Sequence, residues 1–244
     1  MRLLLTNDDG IDGEGLWALY DALSAEHEVW VIAPDSNRSA VSNGITLSKD
    51  LCVKKIKEHV FTSSGLPADC VSTGFLANIV EGKIDMVLSG INRGANLGTD
   101  IIYSGTAAAA RQAAIFGVPG VAFSIESPKE EYRYEALAKF AKQNLPTLRG
   151  LYVAGEFLNI NALSADSYKA VQFTSVSVRK YKDTVKVFAD DSGILRSRFV
   201  GGSVTSQGTV CSDFRAVENG NISITRVLAE PVSADNEINA KWLL

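Results

Sequence analysis

Four short apolar runs punctuate the first half of the chain: Leu3–Leu5, Val29–Ile32, Met86–Leu88 and Val118–Phe123, each bounded by Gly, Pro, Asn or Asp. Runs this short that stay apolar at consecutive positions predict strands covered on both faces, as in a parallel sheet between helices. The intervening segments repeat their apolar residues at helical spacing. Leu16-Trp17, Leu19-Tyr20 and Leu23 predict one helix, and Ala68 to Val80 a second after Pro67. Ala107 to Ile115 predicts an Ala-rich third, opening at Ser104-Gly105-Thr106, and Glu130 to Gln143 a fourth. Strand and helix in alternation specify an α/β fold with a doubly wound, mostly parallel sheet.

Beyond about residue 150 the pattern changes. Phe157-Leu158-Asn159-Ile160 predicts one more sheet strand, whereas Ala170–Val178 and Thr184–Ala189 are β-branched runs separated by charge, which predicts a β-hairpin. A hairpin outside a compact body has edges that another subunit can cover, so the extension predicts a homodimer or homotetramer. No Gly-, Pro- or Ser-rich linker and no repeat interrupts the 244 residues. The expectation is a single domain over 1–244, with the core sheet and site in 1–165 and a hairpin extension and C-terminal segment in 166–244.

Composition narrows the function classes. Hydrophobic residues at 46% and charged residues at 21% are those of a globular chain, and 24 Lys+Arg against 28 Asp+Glu give a net charge of −4. No overall positive field exists for a nucleic-acid polymer or an anionic membrane, so a phosphate ligand must be held locally. The N-terminal apolar run is shorter than the roughly 7–15 residues of a signal core, and no stretch approaches the roughly 18 apolar residues of a membrane span. Cys52, Cys70 and Cys211 are odd in number and widely spaced. Together these predict a cytoplasmic protein without disulfides.

Candidate chemistry lies where strands end. Asn7-Asp8-Asp9-Gly10 follows the first strand, and two adjacent carboxylates there point either to a hard divalent cation or to a helix N-cap for the segment that follows. Ala33-Pro34-Asp35-Ser36-Asn37-Arg38-Ser39 follows the second strand, with Ser39 a potential hydroxyl ligand and Arg38 a potential phosphate partner; ordinary turn chemistry accounts for the same residues. Ser89 to Gly98 holds three glycines in ten residues and leads to a helix opening at Ser104-Gly105-Thr106, which in outline is an anion cradle. GxxxxGK[ST] is absent, and no GxGxxG follows the first strand, so ATPase and dinucleotide readings are weak. His27 and His59 sit away from these loops, leaving almost no material for a triad or a His-ligated zinc site, and Cys70 reads as a small buried hydrophobe.

With these loops placed, the chain resembles the SurE family, the survival-protein nucleotidases that hydrolyse nucleoside monophosphates. The resemblance rests on Asn7-Asp8-Asp9-Gly10, Ala33-Pro34-Asp35 with Arg38-Ser39, Gly65-Leu66-Pro67-Ala68-Asp69-Cys70-Val71, Ser89-Gly90-Ile91-Asn92-Arg93-Gly94 with Asn96-Leu97-Gly98, and Tyr103-Ser104-Gly105-Thr106. Ser212-Asp213, Ala216-Val217 and Gly220 with Ile222-Ser223-Ile224-Thr225 extend it to nearly the whole chain. Two departures are visible: Asp12-Gly13-Glu14-Gly15 stands where many relatives have Ala-Pro-Gly, and Leu66 replaces a frequent Thr. Neither removes a proposed ligand.

The resemblance implies a Rossmann-like fold and a metal-dependent 5′-nucleotidase that also admits 3′-monophosphates and short polyphosphate. It implies one divalent ion per subunit, Mg²⁺ or Mn²⁺, held by Asp8, Asp9, Ser39 and Asn92, with Asp8 and Asp9 as the catalytic pair. It implies a phosphate site at Asn96, Ser104, Gly105 and Thr106. A non-catalytic nucleotide-binding regulatory module is the competing reading, and a metal-dependent glycosyltransferase ranks behind it for want of room for an acceptor domain. The adjacent acids separate the first two, because a pure anion binder gains nothing from two negative charges beside a phosphate.

Overall fold

The computed structural model describes residues 1–233. In chain order the first half contains β1 (Arg2–Thr6), α1 (Glu14–Leu23), β2 (Glu28–Pro34), β3 (Val53–Lys57), β4 (Val60–Ser63), α2 (Pro67–Leu76), β5 (Met86–Arg93), α3 (Gly105–Ile115) and β6 (Gly120–Glu126). A 3₁₀ turn, Gly98–Ile102, precedes α3. The second half contains α4 (Glu135–Gly150), β7 (Glu156–Leu163), β8 (Val171–Thr174), β9 (Val178–Tyr181), β10 (Thr184–Ala189), β11 (Leu195–Val200), β12 (Val204–Gln207), α5 (Asp213–Glu218) and β13 (Ile222–Leu228). Nine strands form the main sheet in the order β3-β4-β2-β1-β5-β6-β7-β13-β8. The pairs from β4 through β7 are parallel, β3 and β13 run antiparallel to β4 and β7, and β8 runs parallel to β13.

The apolar runs become strands because both faces of the sheet are covered. Along β1, Leu3 and Leu5 enter one core layer and Leu4 the other, all three completely buried. α1 and α4 close the first layer through Leu16, Leu19, Leu137 and Leu145. α2 closes the second through Cys70 and Val71, and α3 through Ala109 and Ala113. Each fully buried Leu contributes about 1.5–3 kcal/mol relative to exposure. All four helices expected from periodicity are present, with shifted ends: the second stops at Leu76, and the fourth begins at Glu135 and runs on to Gly150. The β3–β4 hairpin has no counterpart in the apolar pattern, because Lys54, Lys55 and Lys57 on the exposed edge strand mask it.

The expected pairing of Ala170–Val178 with Thr184–Ala189 is overturned. β10 pairs with β11, β9 pairs with β12, and β8 leaves to join the main sheet beside β13. The turn sits beyond Ala189, in Asp190-Asp191-Ser192-Gly193, where Asp190 Oδ1 accepts from the N–H groups of Ser192 and Ile194, both at 3.0 Å. A side-chain-stabilised turn of this kind fixes the register that β-propensity alone leaves open. The ribbon thus runs from Val178 to Gln207, and β8 and β13 carry the main sheet past the expected boundary at residue 165. Residues 234–244 of the expected C-terminal segment lie outside the described residues.

α1 rests on β5 at Gly15, where a Cβ would fall 1.9 Å from the carbonyl oxygen of Ile91. Because the obstructing atom belongs to the backbone, side-chain movement gives no relief. Gly15→Ala is expected to destabilise the protein by about 3 kcal/mol, read as a lower urea midpoint at unchanged slope. A midpoint within error of the parent would show that helix and strand separate freely.

Candidate active site

β1 lies at the point where strand order reverses, with β2 on one side and β5 on the other. In a doubly wound sheet the crevice at the carboxyl ends of such strands is the ligand position. Three loops leave the sheet there: Asn7-Asp8-Asp9-Gly10 after β1, the segment through Ser39 after β2, and the end of β5 at Asn92. Asn7 shapes the first of them, its side-chain amide donating to the Gly10 carbonyl at 2.8 Å while its Oδ1 accepts the Gly10 N–H at 3.2 Å.

Neither acid caps α1, whose N-cap is Gly13 with no side-chain bond. Asp8 is buried; its Oδ1 accepts the hydroxyl of Thr106, and its main-chain carbonyl accepts Arg38 N–H at 2.7 Å. Burial pushes the Asp8 carboxyl up to about 6; the Thr106 hydroxyl works against that shift, and the charge of Asp9 adds to it. Asp9 is also raised by burial, opposed by the main-chain N–H of Arg93, which reaches its Oδ2 at 3.2 Å, and by the Arg93 charge. Two carboxylates, both raised by burial and only Asp9 beside a cationic side chain, therefore sit side by side at the crevice.

Asp8, Ser39, Asn92, Asn96 and Ser104 line one cavity of about 580 Å³. Ser39 lies exposed on its rim. Asn92 donates its amide N–H to the Gly94 carbonyl at 2.8 Å, which leaves its Oδ1 available as a donor oxygen to a ligand. Ser104 caps α3, accepting Ala107 N–H at 3.0 Å. Gly105 packs against Asp8, where a Cβ would come within 2.8 Å of the Asp8 Cβ. Thr106 is fully buried behind Asp8. Asp9 does not line the cavity wall, and Glu14 is exposed at the first position of α1.

Several other residues hold this arrangement together. Asn161 Oδ1 accepts Asn96 N–H at 2.8 Å, and the amides of Asn159 and Asn161 both donate to the Asn96 carbonyl, at 2.8 and 3.1 Å. The Asn96 side chain donates to Ser124 Oγ at 2.7 Å. Asparagines two apart in an otherwise apolar strand are the sequence signal for this cluster, because a polar side chain buried in a sheet needs a specific partner. Asp213, completely buried, accepts from Gly98 and Ser177 N–H. No local pattern announces that contact, since its partners are 115 and 36 residues away.

The remaining candidates resolve as structural. Arg38 pairs with Asp35 at 3.0 Å and donates to the Ser64 carbonyl, which is the turn reading of that segment. His59 stacks on Trp30 with ring centroids 4.0 Å apart. Burial pushes the Cys70 thiol up to about 12, as expected for a small buried hydrophobe.

The family model described as survival protein SurE matches residues 3–183. A protein of Geotalea daltonii named 5′-nucleotidase SurE is 40% identical over 231 residues, covering 92% of each chain. One of the same name from Treponema pallidum is 44% identical over 184 residues, which is 72% of this chain and 98% of that protein. The crystal structure of the SurE protein from Aquifex aeolicus aligns with a TM-score of 0.81 at 33% identity, covering 95% of both chains.

Proposed function

The chain belongs to the SurE family, and on that premise we propose that it is a metal-dependent phosphomonoesterase that hydrolyses nucleoside 5′-monophosphates to nucleoside and phosphate. The observation that carries this reading is the Asp8 carboxylate at the wall of the same cavity as Ser104, the cap of α3. An anion site at a helix N-terminus beside paired acids makes sense when a cation offsets the repulsion.

The donor set fits a hard divalent ion. Two carboxylates raised by burial, an amide oxygen and a hydroxyl are all oxygen ligands. Asp8, Asp9, Ser39 and Asn92 would hold one Mg²⁺ or Mn²⁺. When bound, such an ion neutralises charge on the phosphoryl group.

The chain's own residues do the rest. Asn96 and Ser104, with the N-terminal peptide groups of α3 at Gly105, receive the phosphate oxygens. Thr106 positions Asp8 through its hydroxyl and so contributes from behind the carboxylate. Water attacks phosphorus opposite the ester oxygen; the P–O bond to the ribose breaks, the proton that the water gives up ends on the ribose oxygen, and nucleoside and hydrogen phosphate leave. The fixed loops supply in-line geometry and charge complementarity, the main sources of catalysis in phosphoryl transfer. 3′-Monophosphates and short polyphosphate present the same terminal group.

The test is phosphate release by metal-stripped protein from a panel of nucleoside 5′- and 3′-monophosphates, with and without Mg²⁺ or Mn²⁺. Release restored by the ion is expected. Nucleotide binding that depends on the ion but yields no phosphate would favour the regulatory-module reading.

Toward its turn the β10–β11 hairpin exposes Val187, Phe188, Ile194 and Leu195, which supports assembly as a homodimer or homotetramer. Among the described residues no helix is long and apolar enough to cross a membrane. The three free cysteines fit a reducing cytoplasmic setting.

A further inference from the structure

The cavity that Asp8 and Ser104 line is larger than phosphate needs. At about 580 Å³ it falls within the roughly 300–1,000 Å³ of sites that enclose a whole small molecule. Asp8, Ser39, Asn92 and Ser104 give it polar walls, whereas Tyr103, Tyr181 and Phe199 line it with aromatic surface; the Tyr181 hydroxyl is already held by Asp100. Phe199 comes from β11, more than ninety residues further along the chain. It is 80% exposed and Tyr103 is 57% exposed, so both rings have surface that the protein leaves uncovered.

The ribbon that brings Phe199 here is anchored at its base. Arg179 N–H donates to Thr99 Oγ1 at 3.0 Å, the Arg179 guanidinium pairs with Asp100 at 3.0 Å in a largely buried contact, and the Tyr181 hydroxyl donates to the same carboxylate at 2.5 Å. Thr99 and Asp100 belong to the 3₁₀ turn that leads directly into Tyr103 and Ser104. Gly98, at φ +54°, admits the close approach: a Cβ there would lie 2.5 Å from the carbonyl oxygen of Ser177. One short turn therefore fixes both the anion end of the cavity and the ribbon that forms its aromatic wall.

Resting on the phosphomonoesterase reading, we infer that Tyr103 and Phe199 are the specificity-determining residues that stack on the base of a nucleoside monophosphate whose phosphate lies at Ser104. Stacking suits this position because every base has a π-face, so the site favours nucleotides over other phosphomonoesters without distinguishing strongly among bases. Alanine at such a platform weakens base binding by about tenfold or more.

The test compares a nucleoside 5′-monophosphate with ribose 5-phosphate, which keeps the sugar and phosphate and lacks the base. For Phe199→Ala and for Tyr103→Ala, the ratio of kcat/KM for nucleotide over ribose 5-phosphate is expected to fall about tenfold, mainly through the nucleotide KM, while Phe199→Tyr keeps the parent ratio. An unchanged ratio in both alanine variants overturns the inference. Equal losses on both substrates, with a change of assembly size on a sizing column, also overturn it and assign Phe199 to a subunit contact. If the parent protein with Mg²⁺ or Mn²⁺ releases phosphate from neither compound, the enzymatic reading fails and this inference fails with it. A parent active on both with no effect of the variants removes only the base platform.

Discussion

Replacing Asp8 with asparagine is expected to abolish phosphate release while making the metal-free protein more stable at neutral pH. The two effects share one cause. Asp8 is 3% exposed and its carboxyl is pushed up to about 6, so the folded state resists the charge that function requires. The sign follows from linkage. A carboxyl raised in the native state stabilises the fold fully below its ordinary value near 3.8 and loses that contribution as pH climbs through about 6. At pH 7 the ionised group costs roughly 3 kcal/mol, equivalent in a chain of this size to about 6–12 °C in Tm. Metal-stripped parent protein should therefore melt lower at pH 7.5 than at pH 5. Asparagine keeps the shape and an oxygen to accept the Thr106 hydroxyl, but it has no charge to titrate and no anionic ligand to offer. The pH-dependent drop should largely disappear in the variant, and kcat/KM with Mg²⁺ should fall at least about 10³-fold. Full activity in Asp8→Asn would remove Asp8 from the reaction, and an unaltered pH slope in chelator would place the buried charge elsewhere.

The layers of the fold were legible because both helix and strand periodicities are written locally. Leu3-Leu4-Leu5 has no polar face, so it has to be a central strand, and the site then follows from where that strand ends. The acids, Asn92 and Ser104 reach one crevice for this reason. The ribbon's pairing is not legible because β-propensity marks strands without naming partners: Val171–Thr174 and Thr184–Ala189 are both sound strands, yet one joins the main sheet and the other pairs beyond the Asp190 turn. Thr106 shows the complementary limit. Its place at a helix start marks it as part of an anion cradle, but only the fold reveals that its hydroxyl is given to Asp8. The aromatic wall is illegible for the same reason, since Phe199 joins the cavity of Ser104 only through the ribbon's long return.

Asp213→Ala should be the most destabilising single change at a polar position, at about 4 kcal/mol, and it should also impair catalysis in the molecules that stay folded. The carboxylate is completely buried and accepts three main-chain N–H groups: Gly98 at 2.8 Å, Ser177 at 3.0 Å and Phe214 at 2.7 Å. Charge-assisted bonds of this kind stabilise by about 1.5–3 kcal/mol each and are not additive, and alanine leaves three donors without a partner in a dry environment. The consequence for the site comes from what the three donors belong to. Gly98 opens the 3₁₀ turn before Ser104, Ser177 immediately precedes the ribbon, and Phe214 lies in α5, so one side chain ties the turn before Ser104 to two segments distant in sequence. Urea unfolding should give a lower midpoint for Asp213→Ala and a roughly half-sized loss for Asp213→Asn, which keeps one acceptor oxygen. Assayed well below its melting temperature, Asp213→Ala should lose about tenfold in kcat/KM, because released Gly98 no longer fixes the turn that presents Ser104. A variant that loses stability yet retains full kcat/KM when folded would show that the turn holds its geometry without the clamp, and would confine Asp213 to the architecture of the C-terminal segment.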